Sequence, residues 1–485
     1  MTKPQLVAPA QRPARTAWPR WGQRVPRAMI ALAMALAMLP LVMVSGASAE
    51  PPPPADSFYD PPAELGSLSP GAIVRSRPVD ANALQLVPIN VDAWQLLYRT
   101  TDASGAPEAA VTTIMVPRGA TGPRPLLSYQ AATDSTLRIC NPSYSLVAGS
   151  PIDPLSPAGP FTFALPSAEV ALAAAGLAEG WAVALPDHGS IDDRFLTPRQ
   201  PGYAVLDGIR AATSFAPAGL DGIRTPTALW GYSGGAIASS WAIEEHPAYA
   251  PELNIKGAAF GAPERDLEES LRSANRALLA GLIPIALASI AKDSPEFAAE
   301  IDQYLTPGGK AIVAKARNHC VGQNVLENIW FDYEQHLNAP IEELLANPVI
   351  RREIDARGIT GRAPTVPTYI HNGVSEEVAP IVGTDKLVRS YCDGGGQVTY
   401  RREEFPSNPP KEFITTHGII AISGSPGAFT WIKQRLSGNP PLAAGCDIQT
   451  VPSTLIEPGV PEVIAPSFIE NLLSLVNGEP IGAHR

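Results

Sequence analysis

Between Gly71 and Gly261 the hydrophobic positions alternate between short apolar runs and longer segments with helical spacing. The apolar runs predict strands at residues 93–100, 110–116, 124–130, 181–186, 225–230 and 255–261. The helical spacing predicts helices at residues 168–180, 204–215 and 236–245. Strands and helices that alternate in this way indicate an α/β fold, a mostly parallel sheet with helices on both faces.

This alternation is interrupted between residues 264 and 355, where nearly all of the pattern is helical. Strands resume at residues 366–371 and 396–401, and a helix follows at 424–436. The simplest interpretation is a helical insertion, residues 264–355, between two parts of an α/β core, residues 71–263 and 356–485. We predict that the insertion forms a cap or lid over a substrate. The alternative is an ordinary helical subdomain whose apolar run, 278–287, is simply core.

The first 49 residues have a different pattern. Five arginines precede the apolar run 28–44, and the small residues 47–49 follow it. This order predicts a secretory signal peptide that is cleaved after Ala49, so the protein is expected to be secreted. The alternative is an uncleaved membrane anchor. Residues 50–70 contain a run of four prolines and predict an extended, Pro-rich leader outside the core.

The charge and the cysteine content of the chain limit the classes of partner and site that fit it. Residues 1–49 hold six basic residues and no acidic one, so cleavage would change the net charge from −11 to −17. An acidic surface argues against nucleic-acid partners but is compatible with an uncharged ester or lipid substrate. The four cysteines of an exported chain suggest two disulfides, with three possible pairings, and their spacing does not predict a zinc site. No metal or cofactor is implied.

One motif predicts a catalytic residue by itself. Ser233 is the centre of Gly231-Tyr232-Ser233-Gly234-Gly235, with a predicted strand before it and a predicted helix after it. This context is typical of a nucleophile elbow, in which a tight turn projects a reactive serine from the top of the sheet. The glycines allow the close approach of strand and helix that such a turn needs. The alternative is a glycine-rich turn with an inert serine.

A serine nucleophile needs a base and an acid, which follow it in the order serine, acid, histidine in α/β-hydrolases. His417 is the predicted base, in a loop between the last clear strand and the last amphipathic helix. The acid is expected in the turn after the strand at 366–371, as Glu376 or Glu377, with Asp385 and Asp393 less favoured. The remaining histidines, at 188, 246, 319, 336, 371 and 484, are expected to be structural or on the surface.

Several further motifs occur together and in order. They are Ser128-Tyr129-Gln130 with Asp134-Ser135, Cys140 to Tyr144, Pro186-Asp187-His188, Leu206 to Arg210, the Ser233 pentapeptide, Tyr249 to Leu253, and His417. In these motifs the chain resembles the secretory lipase family of lipase A type, over nearly all of its mature length. The resemblance implies an α/β-hydrolase with Ser233 as nucleophile and His417 as base. The family's acid is an aspartate, and Glu376 stands at that position here.

The resemblance also implies an oxyanion hole from the backbone N–H groups of Gly234 and Asp134. It implies the disulfides Cys140–Cys320 and Cys392–Cys446, and a lid over an acyl tunnel. The expected function is that of a secreted triacylglycerol lipase or other carboxylic-ester hydrolase, with a lipid–water interface as a possible partner. Two alternatives stay open: a short-chain esterase, acyltransferase or peptidase on the same elbow, and a hydrolase-like binding protein without activity. The oligomeric state is not indicated.

Overall fold

The computed structural model describes residues 56–119, 121–147, 163–438, 441–442 and 444–482, so the predicted signal peptide and its cleavage site lie outside the described residues. The strands are β1 (Ile73–Pro78), β2 (Asn82–Ala83), β3 (Val87–Pro88), β4 (Asp92–Thr101), β5 (Pro107–Val116), β6 (Leu126–Gln130), β7 (Ala182–Pro186), β8 (Thr227–Tyr232), β9 (Ile255–Gly261), β10 (Thr368–Gly373), β11 (Val398–Glu403) and β12 (Cys446–Val451).

The first eight helices are α1 (Pro142–Ser145), α2 (Pro166–Ala178), α3 (Gln200–Ser214), α4 (Gly234–Tyr249), α5 (Leu267–Ala274), α6 (Leu282–Asp293), α7 (Pro295–Tyr304) and α8 (Pro307–Ala316). The other eight are α9 (Val321–Glu327), α10 (Ile341–Ala346), α11 (Pro348–Arg357), α12 (Ile381–Asp393), α13 (Thr416–Ser423), α14 (Ser425–Ser437), α15 (Pro461–Val463) and α16 (Glu470–Asn477). A π-helical turn, Ile464–Ile469, joins α15 to α16.

Ten strands form one sheet in the order β1-β4-β5-β7-β6-β8-β9-β10-β11-β12. The first four strands in this order pair antiparallel, and every pair from β7-β6 to β11-β12 is parallel. All residues of β6, β7, β8 and β10 are buried, as expected for parallel strands covered on both faces. Short apolar runs within β6, β7 and β8 made these three strands predictable.

Helices cover both faces of this sheet. One core cluster contains Val205 of α3, Ile243 of α4 and Leu387 of α12, and the opposite one contains Val170 of α2 and Phe429 of α14. The predicted α/β architecture is therefore confirmed. Among the described residues, no helix is both apolar enough and long enough to cross a membrane.

Helices α5 to α11 all lie between β9 and β10, in the interval predicted as an insertion. They have a hydrophobic cluster of their own, which includes Phe297, Ile301 and Leu345 and extends to Trp241 on α4. This helical layer therefore has its own small core and packs on the helix that follows Ser233.

The hydrophobic pattern failed to predict structure at both ends of the core. Residues 56–70 are not an extended leader, because Phe58, Tyr59 and Leu65 are buried against strands β4 and β5. The segment after Gly445, for which the hydrophobic pattern predicted no element, contains the edge strand β12 and four helical elements. Strand β12 is exposed along almost its whole length, so it has no buried face that could produce an alternating pattern.

Two disulfides join distant parts of the chain. Cys140, after β6, is bonded to Cys320 at the start of α9, and Cys392, near the end of α12, is bonded to Cys446 in β12. This is the pairing that the resemblance implies. The first bond ties a loop of the core to the helical insertion, and the second fixes the exposed edge strand.

Candidate active site

Ser233 lies in a sharp turn between β8 and α4. Its backbone has φ 54° and ψ −124°, a conformation that is costly for a residue with a side chain. The turn is crowded: a Cβ atom on Gly235 would lie 1.9 Å from the carbonyl oxygen of Gln130, and one on Gly231 would lie 2.4 Å from that of Gly235. These contacts explain why glycine occupies both positions. The geometry is that of the nucleophile elbow predicted from the motif.

Five polar residues meet at the edge of the sheet formed by the carboxyl ends of the parallel strands. Asp134 follows β6, Ser233 follows β8, Glu264 follows β9, Glu376 follows β10 and His417 follows β11. Because these strands are neighbours and run in the same direction, residues far apart in sequence share one site. Ligand sites in open α/β sheets commonly lie at this edge.

A continuous hydrogen-bonded chain runs through three of these side chains. Nε2 of His417 lies 2.8 Å from Oγ of Ser233, and Nδ1 of His417 lies 3.1 Å from Oε1 of Glu376. All three residues are buried. The arrangement has the contacts that a serine nucleophile, its base and an orienting acid require.

Backbone groups hold the two glutamates that precede α12 in place. Glu376 accepts hydrogen bonds from the N–H groups of Val378 at 2.9 Å and Ala379 at 2.6 Å. Glu377 instead accepts from the N–H groups of Thr416 at 3.1 Å and His417 at 3.2 Å. The two candidates for the acid are thus distinguished by geometry: Glu376 contacts the imidazole, and Glu377 contacts the backbone that carries it.

His417 is not in a loop, as the sequence suggested, but is the second residue of helix α13. The side chain of Thr415 caps this helix by accepting a hydrogen bond from the N–H of Gly418. A capped helical turn fixes the imidazole more firmly than a loop would. The apolar residues after His417 suggested only the following helix, so α13 itself was missed.

The electrostatic environment of His417 is strongly acidic. Burial by itself lowers the pKa of His417, but the negative charge and hydrogen bond of Glu376, with the charges of Glu264 and Glu377, outweigh it and raise the pKa to about 9. Burial, followed by the charge of Glu376, raises the pKa of Glu377. The acidic surroundings therefore stabilise the positive charge that His417 gains when it takes a proton.

Asp134 and Gly234, the two residues whose N–H groups the resemblance assigns to an oxyanion hole, lie against each other. A Cβ atom on Gly234 would lie 1.9 Å from Oδ1 of Asp134. Gly234 is the first residue of α4, so its N–H belongs to the helix terminus that has no intrahelical partner. Burial raises the pKa of the Asp134 carboxyl above its usual range, and the charge of His417 opposes this increase.

Sequence reasoning missed one residue of this site. Glu264 is buried, and its Oε1 accepts a hydrogen bond from Oγ of Ser233 at 3.0 Å. Burial raises the pKa of Glu264, and the charge of His417 opposes the increase. Its position three residues after a predicted parallel strand was a usable signal, because that edge of the sheet also carries Ser233 and Glu376.

The other candidates lie elsewhere. Nε2 of His188 contacts the carbonyl of Ala131, His371 is buried beneath Tyr232, and Asp385 accepts from Tyr400. His484 lies outside the described residues. Within the described ranges, no group of three or more His, Cys, Asp or Glu side chains is arranged to hold a metal ion.

Comparisons with known proteins identify the family of this chain. The family model described as "Secretory lipase" matches residues 159–444. Lipase A of Arthroderma benhamiae is 34% identical over 433 residues, which cover 88% of each chain. A Mycobacterium tuberculosis protein named "Probable inactive lipase MT1628" is 37% identical over 392 residues, covering 79% of this chain and 82% of that one.

Among solved structures, lipase A of Candida antarctica in its closed state superposes with a TM-score of 0.72 at 25% identity. The match covers 90% of this chain and all of that one. The α/β-hydrolase fold expected from the sequence is thereby confirmed, and the chain belongs to the secretory lipase family.

Proposed function

We propose that this protein is an exported serine lipase that hydrolyses acylglycerols through an acyl-enzyme, with Ser233, His417 and Glu376 as its catalytic residues. The observation that carries the proposal is the hydrogen-bonded chain through these three side chains, beside an apolar cavity whose wall includes Glu264, a hydrogen-bond partner of Ser233. Membership of the secretory lipase family supports the same reaction class.

The cavity lies between the sheet edge and the helical insertion and encloses about 810 Å³ of empty space, its open mouth included. Of its eighteen lining residues, fifteen are apolar, and Asp134 and Glu264 are the two that belong to the polar site. Leu282, Ile283 and Leu287 of α6 contribute part of the wall. An apolar cavity of this kind beside a nucleophile fits an acyl chain, and we propose that residues 264–355 are the cap that encloses it.

In the proposed reaction, Ser233 attacks the ester carbonyl, and His417 exchanges protons with the reacting oxygens. Glu376 keeps Nδ1 of His417 protonated and stabilises the imidazolium. The N–H groups of Gly234 and Asp134 hold the oxyanion, a contribution of ~3 kcal/mol for each donor. Water then hydrolyses the acyl-enzyme.

Two exposed rings support an encounter with a lipid–water interface. Phe413, four residues before His417, is 73% exposed, and Trp330 in the insertion is 52% exposed. The indole N–H of Trp330 donates to the carbonyl of Glu412 at 2.7 Å, so the two rings lie on adjoining segments. Exposed apolar groups that are clustered in this way are typical of surfaces that contact other molecules. Two disulfides are consistent with export.

The decisive experiment is active-site labelling. The wild-type protein is expected to react with a fluorophosphonate at Ser233, as located by peptide mapping, and to hydrolyse triacylglycerol emulsions. The Ser233→Ala variant should lose both the labelling and the hydrolysis, with turnover lower by on the order of 10⁵-fold or more. Ser214→Ala, an exposed serine at the end of α3, is the matched control and should retain both.

The same experiment distinguishes a lipase from an inactive binding protein and from an esterase or peptidase. A wild-type protein that is folded but neither labelled nor active would identify a hydrolase-like binding protein, as the name of the mycobacterial relative suggests for that protein. Labelling at Ser233 with activity confined to short esters or to amides would replace the lipase assignment by an esterase or a peptidase.

A further inference from the structure

One peptide group in the loop between β6 and Asp134 is held from both sides. The carbonyl oxygen of Ala131 lies 2.7 Å from Nε2 of His188. The N–H of Ala132 donates to the two carboxylate oxygens of Glu169, at 3.3 and 3.2 Å. This carbonyl and this N–H are the two polar groups of a single peptide bond. Residues 131–134 are called the oxyanion loop below.

The chemistry of these two contacts fixes the orientation of the peptide group. A backbone carbonyl only accepts hydrogen bonds, so Nε2 of His188 carries a proton and donates it to Ala131. The peptide unit is planar, and its C=O and N–H point in opposite directions when it is trans. A donor on one side and an acceptor on the other therefore prevent the plane from rotating. Ala131 and Ala132 are buried, so their polar groups need these partners.

The oxyanion loop needs such restraint because it ends in a strained residue. Asp134 has φ 42°, in the left-handed region that is costly for a residue with a side chain. Backbone of this kind persists only where the surrounding structure over-determines it. On the far side of Asp134, the hydroxyl of Ser135 donates to the carbonyl of His319 at 3.2 Å. The held peptide group provides the restraint on the near side.

His188 and Glu169 reach the loop from different elements. His188 follows β7, which pairs in parallel with β6, so the carboxyl ends of both strands meet at the same edge of the sheet. Glu169 lies in the first turn of α2. Its carboxylate also accepts from the hydroxyl of Tyr129 at 3.1 Å, which orients it toward the loop. Two motifs from the sequence, Ser128-Tyr129-Gln130 and Pro186-Asp187-His188, thus converge on one peptide group.

We propose that His188 and Glu169 are positioning residues, which hold the oxyanion loop so that the N–H of Asp134 points at the negative charge that develops on the ester oxygen. The proposal rests on the function proposed above, with Ser233 as the nucleophile and Asp134 as an oxyanion donor. A donor of this kind acts in the transition state, so a displaced loop should slow turnover more than it weakens substrate binding.

His188→Leu removes the donor to the loop and keeps an apolar side chain in its place. Loss of a complete oxyanion donor costs about 10²–10³ in kcat, so a displaced donor should cost about 10–100-fold, with KM nearly unchanged. His188→Gln is the conservative variant, because its amide N–H can donate to the same carbonyl. Its kcat should lie within about threefold of the wild-type value.

A pair of substrates separates positioning from a general loss of structure. A p-nitrophenyl ester and its thiono analogue, in which sulfur replaces the carbonyl oxygen, share the same leaving group. The wild-type protein should prefer the oxoester, because sulfur is a weaker acceptor of N–H hydrogen bonds than oxygen is. The oxoester-to-thionoester ratio of kcat/KM should fall by about fivefold or more in His188→Leu. This ratio does not depend on how much of the preparation is folded.

His246→Leu is the matched control. His246 is also buried, and its Nε2 also contacts a backbone carbonyl, that of Leu253 at 3.3 Å. It lies near the end of α4, about three helical turns from Ser233. The control should keep the wild-type ratio. A folded His188→Leu protein with unchanged kcat, or with lower kcat but an unchanged ratio, would overturn the proposal, and so would an equal fall in the control.

Glu169→Leu covers the case in which His188→Leu does not fold, because it removes the acceptor on the other side of the same peptide group. The charge of Glu169 also acts on His417, but a change in the base alters the rates with both substrates alike. The ratio should therefore fall as in His188→Leu, and an unchanged ratio would overturn the proposal. A folded wild-type protein that hydrolyses neither ester would instead refute the function proposed above, so the two failures are distinguishable.

Discussion

Glu376, the proposed acid, is one methylene longer than the aspartate that the resemblance to the lipase family implies at its position. Its side chain folds back onto its own turn. Its two oxygens accept from the N–H groups of Val378 and Ala379, while Oε1 also reaches Nδ1 of His417 at 3.1 Å. The backbone therefore fixes the carboxylate at a distance from the imidazole that a hydrogen bond needs.

Glu376→Gln tests this role. The amide cannot balance the imidazolium charge, so kcat should fall by about 10²–10⁴-fold with little change in KM. The charge of Glu376 raises the pKa of His417, so its removal should lower that pKa from about 9. The limb of the kcat/KM profile that reports His417 should consequently move to lower pH.

Asp385→Asn provides the control for this substitution, because its carboxylate contacts Tyr400 and Arg402 rather than His417. It should leave both kcat and the pH profile unchanged. A Glu376→Gln protein with normal kcat, or a profile displaced only by Asp385→Asn, would show that Glu376 is not the orienting acid.

The residues of the site differ in how far the sequence could predict them. Ser233 has a local motif, and His417 follows from the chain order, so both could be proposed without coordinates. Glu376 could not be separated from Glu377, because adjacent side chains leave a turn in different directions that only the fold decides. Glu264 has no motif, and its contact with Ser233 depends on the packing of β9 beside β8.

At the scale of elements, the turn between β8 and α4 depends on how closely α4 approaches β6. A Cβ atom on Gly235 would meet backbone, the carbonyl oxygen of Gln130 at 1.9 Å, rather than a side chain that could rotate away. Gly308, near the start of α8, has only side-chain atoms 3.7 Å or more from such a Cβ atom. The same substitution at the two positions should therefore have opposite effects.

We expect Gly235→Ala to lower the free energy of unfolding by about 1–3 kcal/mol, because α4 and β6 must separate. The same displacement would move Ser233 relative to His417, so kcat should fall as well. Gly308→Ala should be neutral or stabilising by up to about 1 kcal/mol, with unchanged kcat. Denaturant unfolding and ester hydrolysis measure both effects, and equal stability of the two variants would contradict the close approach.

The elements that the sequence predicted best are those that the sheet buries most. Strands β6, β7 and β8 are buried throughout because helices cover both of their faces, and the predicted positions lie within two residues of the observed ones at either end. Strand β12 was missed because its side chains are exposed. The contact of Phe58 and Tyr59 with the sheet was missed because the prolines before them suggested an extended chain.

At the scale of the whole molecule, the two disulfides stabilise different parts of the fold. Cys140–Cys320 spans 180 residues and ties the loop near Asp134 to the helical insertion. Cys392–Cys446 spans 54 residues and ties α12 to an edge strand remote in sequence from the helical insertion. Chain-entropy arguments give roughly 5 kcal/mol for the first bond and roughly 4 kcal/mol for the second, so their thermodynamic contributions are similar.

Their effects on substrate selection should nevertheless differ, because only the first bond ties the core to the helical insertion, whose helices line the apolar cavity. We expect Cys140→Ser/Cys320→Ser to raise KM for long-chain esters by about tenfold while short-chain esters are little affected, since the long chain needs the cap in place. Cys392→Ser/Cys446→Ser is the matched control, because it also replaces one disulfide by two serines and should lose a similar free energy of unfolding. It should preserve the chain-length preference. A p-nitrophenyl ester series on both folded variants measures the difference. If both variants lost long-chain preference equally, general loosening of the fold, and not the position of the cap, would control chain-length selection.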